Sequence, residues 1–457
     1  MTTLNEQLPA GWAECQVDEI GHLIRGITYQ KEQASKSPGL GLMPILRANN
    51  INGALNYDDL VYVPRALVDE EQSIKKGDLV FAMSSGSLNL VGKSAQALAD
   101  FDGSCGAFCA ILRIDPSISV KFASYVFQAN KFRRKISEIA KGSNINNLKR
   151  EHILEHRITL PPFAEQRRIV GKVEELFSEL DEGVANLKQA RAQLAVYRQA
   201  LLKHAFEGHL TAIKGIKKFP LSSLITDLSQ GWSPKCELNR APKPDEWAVI
   251  KTTAIQHCRY DDTEAKPLPP PFEGRPSIEI KDGDFLMTRK GPRTRAGVSC
   301  YVRRTRHRLM VCDTVYRFRC IEDRVTPLYL ELALNSPDVL RAIDQRKAGI
   351  SESGLSLTHS KIGTVEIPLC SLDEQQDIVR QLDEQTSVMD VLEADIDLNL
   401  QKAEALRQSI LKKAFAGELV PQDPADEPAA ALLARIRAER EAAAATPKST
   451  KIRTKKA

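Results

Sequence analysis

The 457-residue chain is short of most features that would assign it quickly. No apolar run approaches the roughly 18–20 residues that a membrane helix needs. The N-terminal stretch MTTLNEQLPAGWAEC has no apolar core, so it does not read as a secretory signal. No CxxC pair occurs. The nine cysteines (Cys15, Cys105, Cys109, Cys236, Cys258, Cys300, Cys312, Cys320 and Cys370) are odd in number and scattered, which excludes a disulfide framework and suits free thiols in a reducing cytoplasm. No GxxxxGK[ST] loop, no GxGxxG after a strand and no GxSxG elbow is present, which removes the common nucleotide-binding and hydrolase readings. Charge of one sign is not in large excess: 64 Lys+Arg against 59 Asp+Glu leaves +5, so the distribution of charge matters more than its sum. The length predicts two to four domains.

What the chain does have is an internal repeat at an offset of 209 residues. EQRRIV (165–170) matches EQQDIV (374–379), and RQALLKHAFEGHL (198–210) matches RQSILKKAFAGEL (407–419). Prolines precede each copy (Pro161-Pro162, Pro368) and glycines close each (Gly208, Gly417), the start and stop signals of helices. Between them apolar residues alternate at three and four: Val173, Leu176, Leu180, Gly183, Leu187, Ala190, Leu194, Tyr197, Leu201, and in the second copy Leu382, Gln385, Met389, Leu392, Ile396, Asn399, Ala403, Leu406, Ile410. This heptad seam predicts two helices, each roughly 60 Å long at 1.5 Å per residue, packed on each other as a coiled coil. Gln385, Asn399 and Gly183 would weaken the seam and fix its register.

The blocks 1–160 and 213–367 differ in texture. Each has a Gly-Asp turn feeding a strand (KKGDLVFAM, 75–83; KDGDFLMTR, 281–289), then a polar Gly-containing loop (84–94; 290–299), another strand (107–114; 314–320) and a short helix (122–136; 327–343). Each is therefore a mixed α+β globule. The organisation predicted is block 1–160, helix 161–212, block 213–367, helix 368–420, and a tail 421–457 with a short helix and a basic, disordered end.

Candidate chemistry is sparse. His152-Ile153-Leu154-Glu155-His156 fits HxxEH, but zinc needs both histidines on one face of a sustained helix, and Pro161-Pro162 and the strand-like RITL follow at once. His257-Cys258, Cys312…Cys320 and Cys105…Cys109 lack metal spacing and read as packing. No metal site is expected. The stretch 289–308 is more informative: Arg289, Lys290, Arg293, Arg295, Arg303, Arg304, Arg306 and Arg308 stand with no acid among them. Lys and Arg on flexible turns reach phosphates and base edges. The first block has a thinner version in Arg47, Asn49, Asn50, Lys93 and the helix end Lys131, Arg133, Arg134, Lys135; Lys251 stands where Arg47 does. Nucleic acid is the partner these residues suit.

On the residues LPPFAEQRRIV (160–170), IPLCSLDEQQDIV (367–379), the two helix ends 198–210 and 407–419, and LVPQDPADEPAAALLARI, the chain resembles the specificity (S) subunits of type I restriction–modification systems. The resemblance covers essentially all of 1–420; Cys370-Ser371 stand where the first copy has paired prolines. It implies two target-recognition domains separated by two long antiparallel helices with pseudo-two-fold symmetry, reading a bipartite, asymmetric double-stranded DNA site. It also implies two modification (M) subunits carrying S-adenosylmethionine and adenine-N6 methylation, and two restriction (R) subunits with ATP and Mg. No cofactor is implied for this chain, which would be non-catalytic; it lacks NPPF- or DPPY-type tetrapeptides. Half-sites about one DNA turn apart, roughly 34 Å, suit two domains held apart by helices of roughly 60 Å. A stand-alone DNA-binding regulator and the HILEH metallopeptidase stay as alternatives.

Overall fold

The structure, a computed structural model, describes residues 8–86, 90–140, 146–210, 215–235, 240–349, 351–352 and 354–445. Cys236, part of the polar loop (87–89) and the basic end of the tail (446–457) lie outside the described residues. The two repeat helices run Phe163–Phe206 and Leu372–Phe415, each 44 residues, with both ends at repeat-equivalent positions. Each is followed closely by a glycine in the left-handed region, Gly208 at φ +83° and Gly417 at φ +75°. The chain divides into two compact units, and the division falls inside both helices: unit 1 is 1–185 with 399–457, and unit 2 is 186–398.

Each unit is built from the same set of sheets in the same order. In unit 1, Ala13–Gln16 pairs with Arg157–Leu160. A four-stranded sheet runs Gly21–Arg25, Cys109–Ile114, Leu79–Ala82, Ser94–Gln96, and a three-stranded sheet runs Ser104–Cys105, Leu42–Leu46, Val61–Pro64. Short ladders join Ile51–Asn52 to Ala54–Leu55 and Ser84–Ser85 to Asn146–Asn147. In unit 2, Lys217–Pro220 pairs with Glu366–Leu369. The four strands are Ile225–Gln230, Val315–Cys320, Phe285–Thr288, Ser299–Tyr301, and the three are Leu309–Met310, Ala248–Ile250, Ala265–Pro267. The ladders are Ile255–Gln256 with Arg259–Tyr260 and Lys290–Gly291 with Leu355–Ser356.

Local chemistry explains why two poorly matching sequences reach one topology. In each Gly-Asp turn the glycine takes a conformation that side chains disfavour (Gly77 φ +94°, Gly283 φ +91°). The following aspartate is buried. Asp78 accepts from Lys75 N at 2.8 Å and from Arg113 on the adjoining strand at 2.7 and 2.9 Å. Asp284 accepts from Lys281 N at 2.8 Å and Arg319 at 2.9 Å. The expected single helix after each sheet is two: Val120–Gln128 with Asn130–Ile139, and Pro327–Leu334 with Pro337–Arg346. Ala129 is extended (ψ 144°), and Pro337 cannot donate the bond that would continue the preceding helix.

The glutamine of the EQ repeat is fully buried in both copies. Gln166 accepts from Ser119 N at 2.9 Å and donates to Pro161 O at 2.9 Å. Gln375 accepts from Thr326 N at 2.8 Å and donates to Cys370 O at 3.0 Å and Arg324 O at 3.1 Å. One amide thus ties the start of a long helix to the N-terminus of the helix beside it, so the motif is retained by both copies for a structural reason.

Within each unit the two helix segments pack antiparallel. In unit 2 Arg191 meets Asp397 at 3.1 Å while Arg198 pairs with Asp390. In unit 1 Arg407 pairs with Asp181 and lies over the Phe177 ring at 4.2 Å. Of the expected seam, Val173, Leu201, Leu382, Met389, Ile396 and Ile410 are buried, and Leu176, Leu180, Leu187 and Leu194 are half-buried. Leu392 and Leu406 are 46% and 50% exposed, and Tyr197 is also exposed. The seam is best covered where the helices also pack on a unit's core, at Val173 and Ile410 in unit 1 and at Leu201, Leu382 and Met389 in unit 2.

The short helix expected in the tail is present, and it does more than extend the chain. Helix Ala429–Ala445 packs into the core of unit 1 through Ala429, Leu432, Leu433 and Ile436. Ala429 N donates to Gly11 O at 2.8 Å, Arg437 pairs with Glu19, and Arg168 pairs with Asp426 at 2.6 Å. Glu165, fully buried, accepts from Trp12 Nε1 at 3.1 Å and from Gln422 at 3.3 Å, and burial pushes its carboxyl up.

Candidate nucleic-acid interface

In unit 1 the strand Leu42–Leu46 ends at Arg47, which caps the short 3-10 turn Ala48–Asn50. Arg47 pairs with Asp59 at 2.7 Å. Asn50 is 1% exposed: its Oδ1 accepts from Arg47 N at 2.9 Å and its Nδ2 donates to Asp58 O at 2.8 Å. It braces the loop and has no face left for a base edge, which the sequence did not reveal. Asn49 beside it is exposed. Lys93, on the polar loop, donates to Asn52 at 2.6 Å, so the two candidate segments of block one meet. Arg133 of the following helix donates to Val91 O at 3.0 Å and holds that loop from beneath. Lys131, Arg134 and Lys135 stay exposed on the same helix.

Unit 2 repeats this plan with other residues. Ala248–Ile250 ends at Lys251, which caps Thr252–Ala254 and pairs with Glu264 at 3.3 Å, so its equivalence to Arg47 holds in three dimensions. Arg295 donates to the Thr252 and Ile255 carbonyls and to Gln256 Oε1, the latter at 3.0 Å. Again the loop before the last sheet strand is joined to the short turn.

The basic run itself is a hairpin rather than one patch. Phe285–Thr288 and Ser299–Tyr301 pair antiparallel, with 289–297 as the connecting loop. Arg303 and Arg304 lie beyond the far end of the return strand, roughly 15 Å away at 3.3 Å per residue. The run holds no acid, yet the fold brings acids to it. Arg293 pairs with Asp344 and Glu352, each at 2.8 Å, and Arg303 pairs at 2.7 Å with the buried carboxylate of Glu331. Arg306 and Arg308 donate to the carbonyls of 243–246. Arg289 donates to Gln230 and lies over the Tyr316 ring at 5.4 Å. Lys290 and Arg304 are exposed. Asn52, Gln230 and Gln256 join these faces and carry no charge signal by which sequence could have found them.

The HILEH residues diverge. Their helix is only Arg150–Leu154; His152 Nδ1 accepts from Lys149 N at 3.2 Å, and His156, past the helix end, is buried against the Phe132 ring at 4.9 Å. Burial, with Lys135 and Lys131 nearby, pushes the His156 imidazole down to about 4. Among the described residues eight cysteines are free thiols, and no helix is long and apolar enough to cross a membrane.

Residues 9–189 match the family described as "Type I restriction modification DNA specificity domain". The chain is 34% identical to the EcoKI type I restriction enzyme specificity subunit of Escherichia coli K12, covering 97% of this chain and 99% of that one. It is 32% identical to the StySPI specificity subunit of Salmonella potsdam, covering 95% and 96%. A solved chain described under "Structural basis underlying complex assembly and conformational transition of the type I R-M system" superposes with a TM-score of 0.62 at 20% identity, over 90% of this chain and 99% of that one.

Proposed function

The chain belongs to the specificity subunits of type I restriction–modification systems, the DNA-recognition and non-catalytic component, and we propose that its two units read the two halves of one asymmetric DNA site. The observation that carries this reading is the repetition of one topology with different side chains on equivalent loops: Arg47, Asn49 and Lys93 in unit 1, against Lys251, Lys290 and Arg295 in unit 2. Equal frames with unequal loops suit two half-sites of unequal sequence.

The long helices are the spacer and the dock for two M subunits, which supply S-adenosylmethionine chemistry at adenine N6. Two R subunits, with ATP and Mg, complete the assembly. Lys93, Lys290 and Arg304 contact phosphates or bases directly, while Arg293 exchanges its carboxylate partners for phosphate as DNA arrives.

The test is to express the chain with its methyltransferase subunit and map methylated adenines across the host genome. The expected result is one bipartite, non-palindromic motif with a fixed gap. A continuous or palindromic motif would overturn the reading, as would tight sequence-specific binding by the chain alone with no methylation on addition of the partner.

A further inference from the structure

Phe108 is 65% exposed, although the residues on both sides of its turn are buried. It stands third in the turn Gly106-Ala107-Phe108-Cys109, closed by Cys109 N donating to Gly106 O at 2.8 Å. Three further backbone bonds fix where that turn sits. Gly106 N donates to Leu46 O at 2.9 Å, one residue before Arg47. Met83 N and Ser84 N both donate to Phe108 O, at 2.8 and 3.1 Å, where the polar loop toward Lys93 begins. The turn is therefore wedged between the two segments of unit 1 that carry Arg47, Asn49 and Lys93.

The equivalent turn of unit 2 is Cys312-Asp313-Thr314-Val315, closed by Val315 N to Cys312 O at 3.2 Å, and there Arg289 N donates to Thr314 O at 2.8 Å. The frame is the same, and a threonine stands where unit 1 presents a phenylalanine. Topology does not demand the ring, because unit 2 builds the same turn without one. Nor does the core, because the ring lies mostly outside it.

On the major-groove edge, an exposed aromatic ring among polar and basic loops has one chemical counterpart that those loops cannot read. That is the C5-methyl group of thymine, the only apolar feature of the major-groove edge. We infer that Phe108 is a specificity-determining residue of unit 1, making apolar contact with a thymine methyl in the half-site that unit 1 reads. This rests on the two-reader function proposed above.

Replacing thymine by uracil removes that methyl and nothing else. In the assembled complex with the M subunit, each thymine of the unit 1 half-site is replaced in turn in a synthetic duplex, and the methylation rate at low DNA concentration is measured. One replacement should slow the native complex about fourfold, the worth of one methyl group taken out of water. The complex with Phe108→Ala should be slower on thymine DNA and indifferent to that same replacement, while Phe108→Leu should recover part of the difference. Equal uracil sensitivity in native and Phe108→Ala complexes overturns the inference. So does loss of M-subunit assembly by Phe108→Ala, seen by size-exclusion chromatography, since the ring would then be a protein contact. If Lys93→Ala alters discrimination in that half-site while Phe108→Ala does not, the inference fails and the two-reader function stands. If exchanging the whole of block one leaves the half-site unchanged, the function itself fails.

Discussion

Arg198 pairs with Asp390 in unit 2, and one repeat length from each of them Arg407 pairs with Asp181 in unit 1. The same ion pair is built twice, each repeat helix supplying the arginine to one pair and the aspartate to the other. All four groups are partly solvent-screened, so each pair is worth under about 1 kcal/mol to stability. Arg198→Glu should lower the unfolding free energy of the chain by about 1 kcal/mol, and adding Asp390→Arg should restore it. Thermal denaturation of the single and double variants checks this. Rescue of Arg198→Glu by Asp181→Arg instead would show that the pairs do not form within their own units.

The basic residues of 289–308 should fall into two classes. Arg295 is held by two backbone carbonyls, so Arg295→Ala leaves acceptors unpaired and should destabilise unit 2 by about 1–3 kcal/mol. Lys290 is exposed, and Lys290→Ala should leave stability unchanged while reducing the salt dependence of DNA binding by about one phosphate contact. A salt titration of the assembled complex, paired with thermal melts of each variant, separates the two. If Lys290→Ala melts early and Arg295→Ala does not, the assignment is reversed.

His156 makes unit 1 acid-sensitive. Its folded-state affinity for a proton lies below its unfolded value of about 6.5, at about 4. The unfolded chain therefore binds the proton first, and stability present above about pH 6.5 is lost as pH falls toward 4. The loss is on the order of 3 kcal/mol, at about 1.36 kcal/mol for each pH unit between the two values. The repeat supplies the control: Val365 occupies the equivalent place in unit 2, its carbonyl accepting from Leu221 N at 2.8 Å as that of His156 accepts from Val17 N at 3.1 Å. His156→Val should flatten the acid limb of a pH–stability curve measured by chemical denaturation; an unchanged limb would assign the sensitivity to another group.

Recognition should be transferable, with one constraint imposed by the tail helix. Replacing residues 1–160 by the block of another such subunit should change one half-site and keep the other half and the gap. The exchange must retain the contacts of Gly11 and Glu19 with Ala429 and Arg437. A donor block lacking them should give a poorly folded unit 1, and restoring 11–20 of this chain should rescue it. Methylome sequencing reads the half-sites; a changed gap with the long helices untouched would count against the spacer role.

The long helices were legible to within about six residues at each end because their signals are local: heptad spacing, flanking proline, closing glycine. The duplication of the blocks was legible in outline, from the Gly-Asp turns at Gly77 and Gly283, which match at an offset of 206 rather than 209. The strand order was not, because it depends on pairings between segments far apart in the chain, such as Ser104–Cys105 beside Leu42–Leu46. The basic run was visible, but its neutralisation by Asp344, Glu352 and Glu331 comes from helices and loops far along the chain. Asn50 has the composition of a base reader and the surroundings of a brace, and only its partners Arg47 N and Asp58 O tell the two apart.

The helix Ala429–Ala445 also bears on how the molecule comes into being. Unit 2 is one uninterrupted stretch, 186–398, whereas unit 1 needs both the beginning of the chain and its last segments. Because domains fold as units while synthesis proceeds, unit 2 has all its residues while Leu432, Leu433 and Ile436 have yet to be translated. The block that precedes unit 2 in the chain is thus completed after it, and until then the backbone of Gly11 and the carboxylate of Glu19 lack the partners that Ala429 and Arg437 supply.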